Sequence, residues 1–169
     1  VGLQMRISGQ SILASVAPQR MEDGVDFIVF QGLNPLDGKY SKEGSIPYAI
    51  PNVWVDYAMR NHHLTPGFWR GVNNNQNAFY LECFMDEVAK AAGRDPLEFR
   101  RSLMTKDPRT AKHLAVLNAV ANKIGWETSK PPAGQFRGLA VHMGYASYIA
   151  AAAEVSVSDA GKVTVHRLV

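Results

Sequence analysis

Apolar and polar residues alternate with a period of two in two stretches of the N-terminal half, which is typical of half-buried β-strands. The first stretch is 1–7, in which the apolar residues are Val1, Leu3, Met5 and Ile7. The second is 53–59, in which they are Val53, Val55, Tyr57 and Met59. Between them, the apolar run Val25–Phe30 predicts a short buried strand. Gly, Pro and Asn residues predict loops at Asn34–Gly38, Glu43–Ser45 and Thr65–Gly67.

Three segments with helical spacing follow these strands. The first is Gln76–Ala92, which ends before Gly93. One face of this predicted helix is apolar, and it consists of Leu81, Phe84, Met85, Val88 and Ala92. Asp86 and Lys90 are predicted to pair on the outer face, four residues apart.

The second and third helices have recognisable start signals. Asp95–Glu98 offers a capping Asp, a Pro at the first helical position and a Glu at the end of a pattern like a capping box. The third helix is predicted to begin at Asp107–Pro108 and to end at Gly125. Its core face consists of Leu114, Leu117, Ala121 and Ile124.

From Gly138 onward the pattern returns to strands. Val155 and Val157 alternate with polar neighbours, and residues 159–161 predict a tight hairpin turn into a last strand that contains Val163 and Val165. Strands therefore flank a central group of about three helices. This order predicts an α+β fold rather than a regular βαβ alternation.

Composition narrows the functional classes. The net charge is +3 and the basic residues are scattered, which argues against nucleic acid as a partner. A single cysteine cannot form an intrachain disulfide or build an iron–sulfur cluster by itself. No apolar run is long enough to span a membrane.

Both ends of the chain fall inside strand patterns, whereas natural domain ends are usually frayed and polar. This favours a piece of a longer protein, and the alternative is a small domain whose termini are sheet strands. The amphipathic ends, 1–7 and 163–169, also predict self-association, because they would leave unpaired sheet edges.

The segment Gly67–Gln76, GFWRGVNNNQ, lies directly before the first long helix and is the most unusual stretch of the sequence. Free N–H groups at a helix start carry partial positive charge, and Arg70 adds a full charge and a planar fork of donors. Gly71 allows a ligand to approach the backbone closely. Together they would suit an anion such as a cofactor phosphate. The alternative is that the asparagines cap the helix while Phe68 and Trp69 pack beneath it.

Four stretches are together recognisable: IPNVWVDYAMRN, PGFWRGVNNNQNAFYLECFMDEVA, AGRDPLEFRR and GLAVHMGYASYIAAAAEVSV. They resemble the molybdenum-binding large (beta) subunits of the isoquinoline 1-oxidoreductase type, in the xanthine dehydrogenase and aldehyde oxidoreductase superfamily. The resemblance covers nearly the whole chain, and FWRGVNNNQNAF is its most specific part.

The resemblance implies part of a molybdenum hydroxylase that oxidises N-heterocycles or aldehydes with oxygen derived from water. Such subunits hold molybdenum in a molybdopterin dinucleotide, here expected to be the cytosine form, between two lobes. A separate iron–sulfur subunit takes the electrons. Many relatives carry an export signal, so both a periplasmic and a cytoplasmic location stay open.

The resemblance also divides the chain into functional parts. It implies that 1–133 belong to the first cofactor lobe and that 134–169 begin the second. The glutamate that acts as base in this family lies in a Gly-x-Gly-Glu context that has no match in this chain. We therefore expect no catalytic residue and no metal ligand here, and an inactive, cofactor-free chain when it is isolated.

The family's cofactor loop usually reads Arg-Gly-aromatic-Gly and ends in Gln. Arg70, Gly71 and Gln76 follow that pattern, whereas a valine stands at the aromatic position and an asparagine at the second glycine. The resemblance thus assigns cofactor binding to Trp69, Arg70, Gly71, Val72, Asn73 and Gln76.

Other reactive side chains on the first helix suit structural roles. Cys83 is predicted to be a small buried residue, since nothing nearby would lower its pKa. Glu82, Asp86 and Glu87 are predicted to form a solvated helix face.

The histidines and tyrosines give weaker signals. His62 and His63 are adjacent at a strand end and point to opposite sides, so they do not readily share one metal. His113 is predicted to be solvated or to act as a cap, and His142 lies in a segment that the family places near the cofactor cleft. Tyr145, Ser147 and Tyr148 either line a pocket or pack in the sheet.

Two other functions are compatible with the residues. One is a non-catalytic domain whose apolar surface mediates assembly with a partner subunit. The other is a small independent domain that binds an anion at residues 70–76.

Overall fold

The computed structural model describes residues 2–34 and 46–169. The chain divides into two compact units, Val1–Leu81 and Glu82–Val169. The loops predicted at Asn34–Gly38 and Glu43–Ser45 lie outside the described residues, except for Asn34.

A parallel pair of strands, β1 (Leu3–Gly9) and β2 (Val53–Met59), organises the first unit and confirms both predicted strands. Arg6 lies opposite Asp56 in this register, and its guanidinium donates twice to the Asp56 carboxylate, at 2.5 and 2.9 Å. The indole N–H of Trp54 donates to the same carboxylate at 2.8 Å. An exposed charge pair thus links the two strands at this position of the register.

The strand predicted at Val25–Phe30 is wrong, because Phe27–Phe30 forms a 3₁₀ helix. The cause is Asp26, whose buried carboxylate accepts from the Ile28 N–H at 3.1 Å and so caps the helix. The same carboxylate accepts from the Ser11 hydroxyl at 2.8 Å and from the Leu13 N–H at 2.9 Å. It thereby ties the 3₁₀ segment to the start of the short helix α1 (Ile12–Val16). A further 3₁₀ turn, Pro18–Arg20, follows α1.

Helix α2 (Asn74–Ala91) contains the division between the two units. Of its predicted apolar face, Leu81 and Met85 are buried, whereas Phe84 and Ala92 are exposed. The remaining buried positions of the helix are Asn74, Asn77, Glu82 and Ala89. The predicted helical spacing was therefore correct, but the buried face of α2 is rotated about the helix axis. It includes polar residues that form hydrogen bonds inside the protein, such as Asn77 and Glu82.

The second unit contains α3 (Pro96–Met104), a 3₁₀ turn (Pro108–Thr110) and α4 (Ala111–Ile124). Asp95 caps α3 as predicted, since its Oδ1 accepts from the backbone N–H groups of Leu97 and Glu98 at 2.9 and 3.0 Å. Gly125 ends α4 in the left-handed conformation, also as predicted.

An antiparallel sheet, β3 (Phe136–Gly144), β4 (Ser147–Val157) and β5 (Val163–Leu168), completes the second unit. Helix α4 packs against β3 and β4 and buries Leu117, Val120, Ala121 and Ile124. Leu114, predicted in this core, is only half-buried. Strands at both ends and helices in the middle confirm the predicted α+β class.

A buried ion pair joins three elements of this unit. Arg100 on α3 is fully buried, and it donates through Nε to Glu82 Oε2 at 3.0 Å and through Nη1 to Asp86 Oδ1 at 2.5 Å. Glu82 Oε2 also accepts the backbone N–H of Val141 on β3 at 3.0 Å. The prediction of a solvated carboxylate face is therefore wrong for Glu82, and Asp86 pairs with Arg100.

Candidate cofactor-binding loop

The loop before α2 makes two overlapping turns. The carbonyl of Trp69 accepts the N–H of Val72 at 2.9 Å, and the carbonyl of Gly71 accepts the N–H of Asn74 at 3.0 Å. Gly71 has φ +85° and Val72 has φ +47°. Two consecutive left-handed residues thus turn the chain sharply into the first turn of α2.

Glycine is required at position 71 for two reasons. A side chain would be strained at this positive φ. A Cβ there would also collide with the Asn75 amide group, whose Nδ2 donates to the carbonyl of Arg70 at 2.8 Å. The turn and the first residues of the helix therefore fit together closely.

Val72 is an unusual residue at positive φ, because a β-branched side chain is strongly disfavoured in the left-handed region. Strain of this kind costs on the order of 1–3 kcal/mol and is found mostly at functional sites. The loop keeps this backbone shape because its neighbours hold it from both sides.

On the side of the turn that leads into α2, the side chains of Asn73 and Gln76 hold the turn in place. The Asn73 side chain donates to the carbonyl of Ile28 at 2.9 Å and accepts from Gln76 Nε2 at 2.6 Å. Asn73 stands just before the first helical residue, and Gln76 lies three positions later. The Asn73 amide oxygen accepts from the Gln76 side chain and not from a helix N–H, so this contact is not the capping bond of the structural alternative, and both side chains are engaged within the protein.

Asn77 also anchors the turn, a role that the sequence did not predict. It is 1% exposed, and its Nδ2 donates to the carbonyls of Val29 and Gln31 at 2.7 and 2.8 Å. No described residue donates to its Oδ1. One signal was available in the sequence, since an asparagine four residues before Leu81 lies on the apolar side of the helix.

Trp69 and Arg70 point away from this framework. The Trp69 side chain is 83% exposed, and Phe68 is exposed as well, so the alternative in which these aromatics pack beneath the helix start is wrong. Arg70 is exposed too. The structure thus separates the six predicted residues: Trp69 and Arg70 are accessible, Gly71 and Val72 form the turn, and the Asn73 and Gln76 side chains hold it.

The histidines are placed differently from the predictions. His113 is 1% exposed rather than solvated, and its ring lies edge-on to Tyr148, with the ring centroids 4.8 Å apart. Burial, assisted by the nearby His142, lowers the pKa of His113 to about 4. Burial also lowers the pKa of His142. Within residues 2–34 and 46–169, no three His, Cys, Asp or Glu side chains are grouped to hold a metal ion.

Cys83 is exposed on α2, so the prediction that it is buried is wrong. Partial burial and the carboxylates of Asp86, Glu82 and Glu87 raise the pKa of its thiol. A raised pKa keeps the thiol protonated at neutral pH, which agrees with the prediction that it is no nucleophile.

Tyr145 lies at the tip of the β3–β4 hairpin. Tyr145 and Ala146 form the two-residue turn with φ +52° and +59°, and Tyr145 is exposed. Tyr148 packs in the sheet against His113. Of the two readings left open for these tyrosines, packing describes Tyr148, while Tyr145 forms the turn.

Residues 39–104 match the family model of the molybdopterin cofactor-binding domain. The match includes the whole loop from Trp69 to Gln76 and all of α2. The residues that form the strained, anchored turn therefore lie within the part of the chain that matches this family model.

Three curated relatives extend the match. The chain is 26% identical over 148 residues to isoquinoline 1-oxidoreductase subunit beta from Brevundimonas diminuta, a match that covers 88% of this chain and 17% of the relative. It is 29% identical over 137 residues to a probable xanthine dehydrogenase subunit from Bacillus subtilis, covering 70% and 18%. It is 30% identical over 90 residues to a membrane-bound aldehyde dehydrogenase (pyrroloquinoline-quinone) from Gluconacetobacter polyoxogenes, covering 47% and 12%.

The family model and these relatives support a likeness to the molybdopterin-binding subunits of the xanthine dehydrogenase family. This confirms the resemblance drawn from the motifs. The chain spans less than a fifth of the length of these relatives. Among the described residues, no helix combines the length and apolar character needed to cross a bilayer.

Proposed function

We propose that the turn Trp69–Gln76 contacts the anionic part of a molybdopterin cofactor. The observation that carries this proposal is the backbone at Gly71 and Val72, where two left-handed residues are held in place beside an exposed arginine. Costly backbone geometry that the surroundings maintain is typical of ligand-binding turns.

The residues of the loop fit such a group. The Arg70 guanidinium is exposed, and no ion pair or hydrogen bond joins it to another described residue. It presents a planar fork of donors that matches a phosphate. The first turn of α2 adds the partial positive charge of its N–H groups.

The side chains of the loop divide into two roles under this proposal. Arg70 binds phosphate, and Trp69 offers an exposed ring surface beside it. Asn73, Gln76 and Asn77 do not touch the cofactor but fix the turn against residues 28–31. When bound, the cofactor supplies the molybdenum centre at which the substrate is oxidised.

We infer further that this chain is one part of a larger hydroxylase subunit that oxidises N-heterocycles or aldehydes with oxygen from water. The names of the relatives, isoquinoline oxidoreductase, xanthine dehydrogenase and aldehyde dehydrogenase, support these two substrate classes. On the same family resemblance we propose that an iron–sulfur subunit accepts the electrons. We also propose that residues 1–133 belong to the first cofactor lobe and that 134–169 begin the second. The proposed lobe boundary falls inside the second compact unit.

Isolated, the 169-residue chain is proposed to be inactive and free of molybdenum. Its loop supplies contacts to one part of a long cofactor, and these alone would not offset the entropic cost of binding. Its single cysteine also cannot assemble an iron–sulfur relay.

The test is Arg70→Ala in the complete subunit, with Arg20→Ala as a matched control at another exposed arginine. We expect Arg70→Ala to lower the molybdenum content per folded protein at least about tenfold, since a charge-assisted phosphate contact is lost. The melting temperature of the apoprotein should stay unchanged, and Arg20→Ala should keep full metal content. Full molybdenum occupancy in Arg70→Ala would show that Arg70 does not bind the cofactor.

The cytosine form of the dinucleotide is tested separately. Acid hydrolysis of the loaded protein should release CMP in a one-to-one ratio with molybdenum. Release of another nucleotide, or of none, would contradict the cytosine form while leaving the loop assignment intact.

A further inference from the structure

Two adjacent histidines, His62 and His63, lie in the segment that follows β2. Both are exposed, and the chain bends at His63 and Leu64. The two imidazole rings lie close together, with their centroids 6.0 Å apart and their planes tilted by 52°. The rings therefore do not point to the opposite sides that their adjacent positions at a strand end predicted.

The ring nitrogens of this pair are available to a ligand. Neither imidazole forms a hydrogen bond or an ion pair with another described residue. A neutral imidazole has one nitrogen with a free lone pair, which is a common ligand of copper and zinc in proteins.

The number of ligands limits which ion the pair can hold. In the part of the chain that the structure describes, no third His, Cys, Asp or Glu joins the two histidines in a group. A zinc site takes three or four protein ligands around a tetrahedral ion. The pair is therefore suited to an ion that is satisfied by two protein ligands.

The distance between the rings distinguishes the possible coordination geometries. A metal ion bound to an imidazole nitrogen lies about 3.2 Å from the ring centroid, because the bond itself is about 2.0 Å long. Two such centroids are about 6.4 Å apart when the ligands are in line, about 5.2 Å at a tetrahedral angle and about 4.5 Å at a right angle. The observed 6.0 Å is nearest to the linear value. Linear two-coordination is a preference of Cu⁺, whereas Cu²⁺ prefers tetragonal sites with ligands at right angles.

The charge near the pair also favours a monovalent ion. Arg60 stands two residues before His62, and its guanidinium donates to the carbonyl of Met59 at 2.8 Å. No described carboxylate is grouped with the two histidines, so the protein would not neutralise the charge of a bound ion there. Cu⁺ has half the charge of a divalent ion and is repelled less by the guanidinium.

We propose that His62 and His63 together bind one Cu⁺ ion, each through one ring nitrogen. The ion can reach this site without local unfolding, because both side chains are exposed. The proposal is independent of the cofactor proposal, because neither histidine belongs to the turn Trp69–Gln76.

An anaerobic titration of the 169-residue chain with Cu⁺, in competition with bicinchoninate, tests the proposal. Every sample carries Cys83→Ser, because the exposed Cys83 thiol is a soft ligand that would itself bind Cu⁺. We expect one Cu⁺ per chain. His62→Ala and His63→Ala should each weaken binding at least about a hundredfold, since the loss of an outer-shell partner alone costs about 10- to 100-fold in metal affinity.

His166→Ala is the matched control. His166 is also exposed, but it is a single histidine whose Nε2 lies 2.7 Å from the Ser156 hydroxyl. This variant should keep the parental affinity for Cu⁺. Circular dichroism and the melting temperature should be the same in all variants, because each substitution is at an exposed position.

X-ray absorption of the copper-loaded chain provides a second measurement and should show two nitrogen ligands in line. A parent that binds no stoichiometric Cu⁺ would overturn the proposal. Parental affinity in His62→Ala or His63→Ala, or an equal loss in His166→Ala, would overturn it as well. A spectrum with three or four ligands would show that the two histidines do not form the linear site.

Discussion

At the scale of single residues, the backbone at positions 71 and 72 decides how the candidate loop is built. Gly71 can adopt φ +85° without strain, whereas Val72 is forced to φ +47° by the hydrogen bonds on either side of it. Val72 is therefore the residue in a strained conformation, whereas Gly71 is the residue that the Asn75 side chain approaches closely.

Gly71→Ala should therefore lower the free energy of unfolding by about 1–3 kcal/mol, the usual cost of a strained backbone conformation. The added Cβ meets both the positive φ and the Asn75 side chain. Urea denaturation measures the change.

Gly67→Ala is the matched control in the same loop. A Cβ at position 67 has open space and an ordinary φ, so this variant should be as stable as the parent or slightly more stable. Equal stability of the two alanine variants would show that the left-handed turn at Gly71 is absent in solution.

At the scale of elements, the buried Arg100 connects α2, α3 and β3. It neutralises Glu82, and Glu82 in turn accepts the N–H of Val141 at the edge of the sheet. The Arg100 guanidinium also donates to the backbone carbonyl of Glu82 at 2.9 Å. Each group in this network depends on the others for a partner.

Arg100→Ala should lower the free energy of unfolding by about 3–5 kcal/mol, because it leaves the buried Glu82 carboxylate without its counter-charge. The matched control is Arg109→Ala, whose ion pair with Asp107 lies at the surface. That control should change stability little, as exposed pairs usually do. Comparable losses in both variants would contradict the special role of the buried pair.

At the scale of the whole molecule, a neutral histidine in the core makes stability depend on pH. His113 on α4 packs against the Tyr148 ring, and the ammonium of Lys112 stands 5.2 Å from the centre of the same tyrosine ring. A second positive charge at His113 would have neither water nor a partner there.

The expected pH dependence follows from the pKa of His113. The unfolded chain takes up a proton near pH 6.5, whereas burial holds the pKa in the folded chain at about 4. The stability that the neutral ring provides is thus complete above pH 6.5 and is lost as the pH falls from 6.5 to 4. The loss is about 3 kcal/mol, and His142 acts in the same direction.

His113→Leu should flatten the dependence of unfolding free energy on pH in this window, as measured by urea denaturation at several pH values. The exposed His62→Leu serves as the control and should keep the parental profile. An unchanged slope in His113→Leu would show that this histidine is accessible to protons in the folded state.

Local patterns in the sequence determined most of the elements. Period-two alternation predicted β1, β2 and the terminal strands, while Asp95 and Gly125 marked helix ends that the structure confirms. The resemblance carried by the Gly67–Gln76 segment and its neighbours predicted the family. These signals are readable because each depends on residues a few positions apart.

Tertiary structure alone decided the rest. Asp26 turned a predicted strand into a 3₁₀ helix by binding Ser11 and Leu13, more than ten residues earlier in the chain. Glu82 became a core residue because Arg100 reaches it from another helix, and Asn77 became an anchor because residues 29 and 31 offer it two carbonyls. Burial of a polar group depends on whether a distant partner can satisfy it, and hydrophobic periodicity carries no information about that partner.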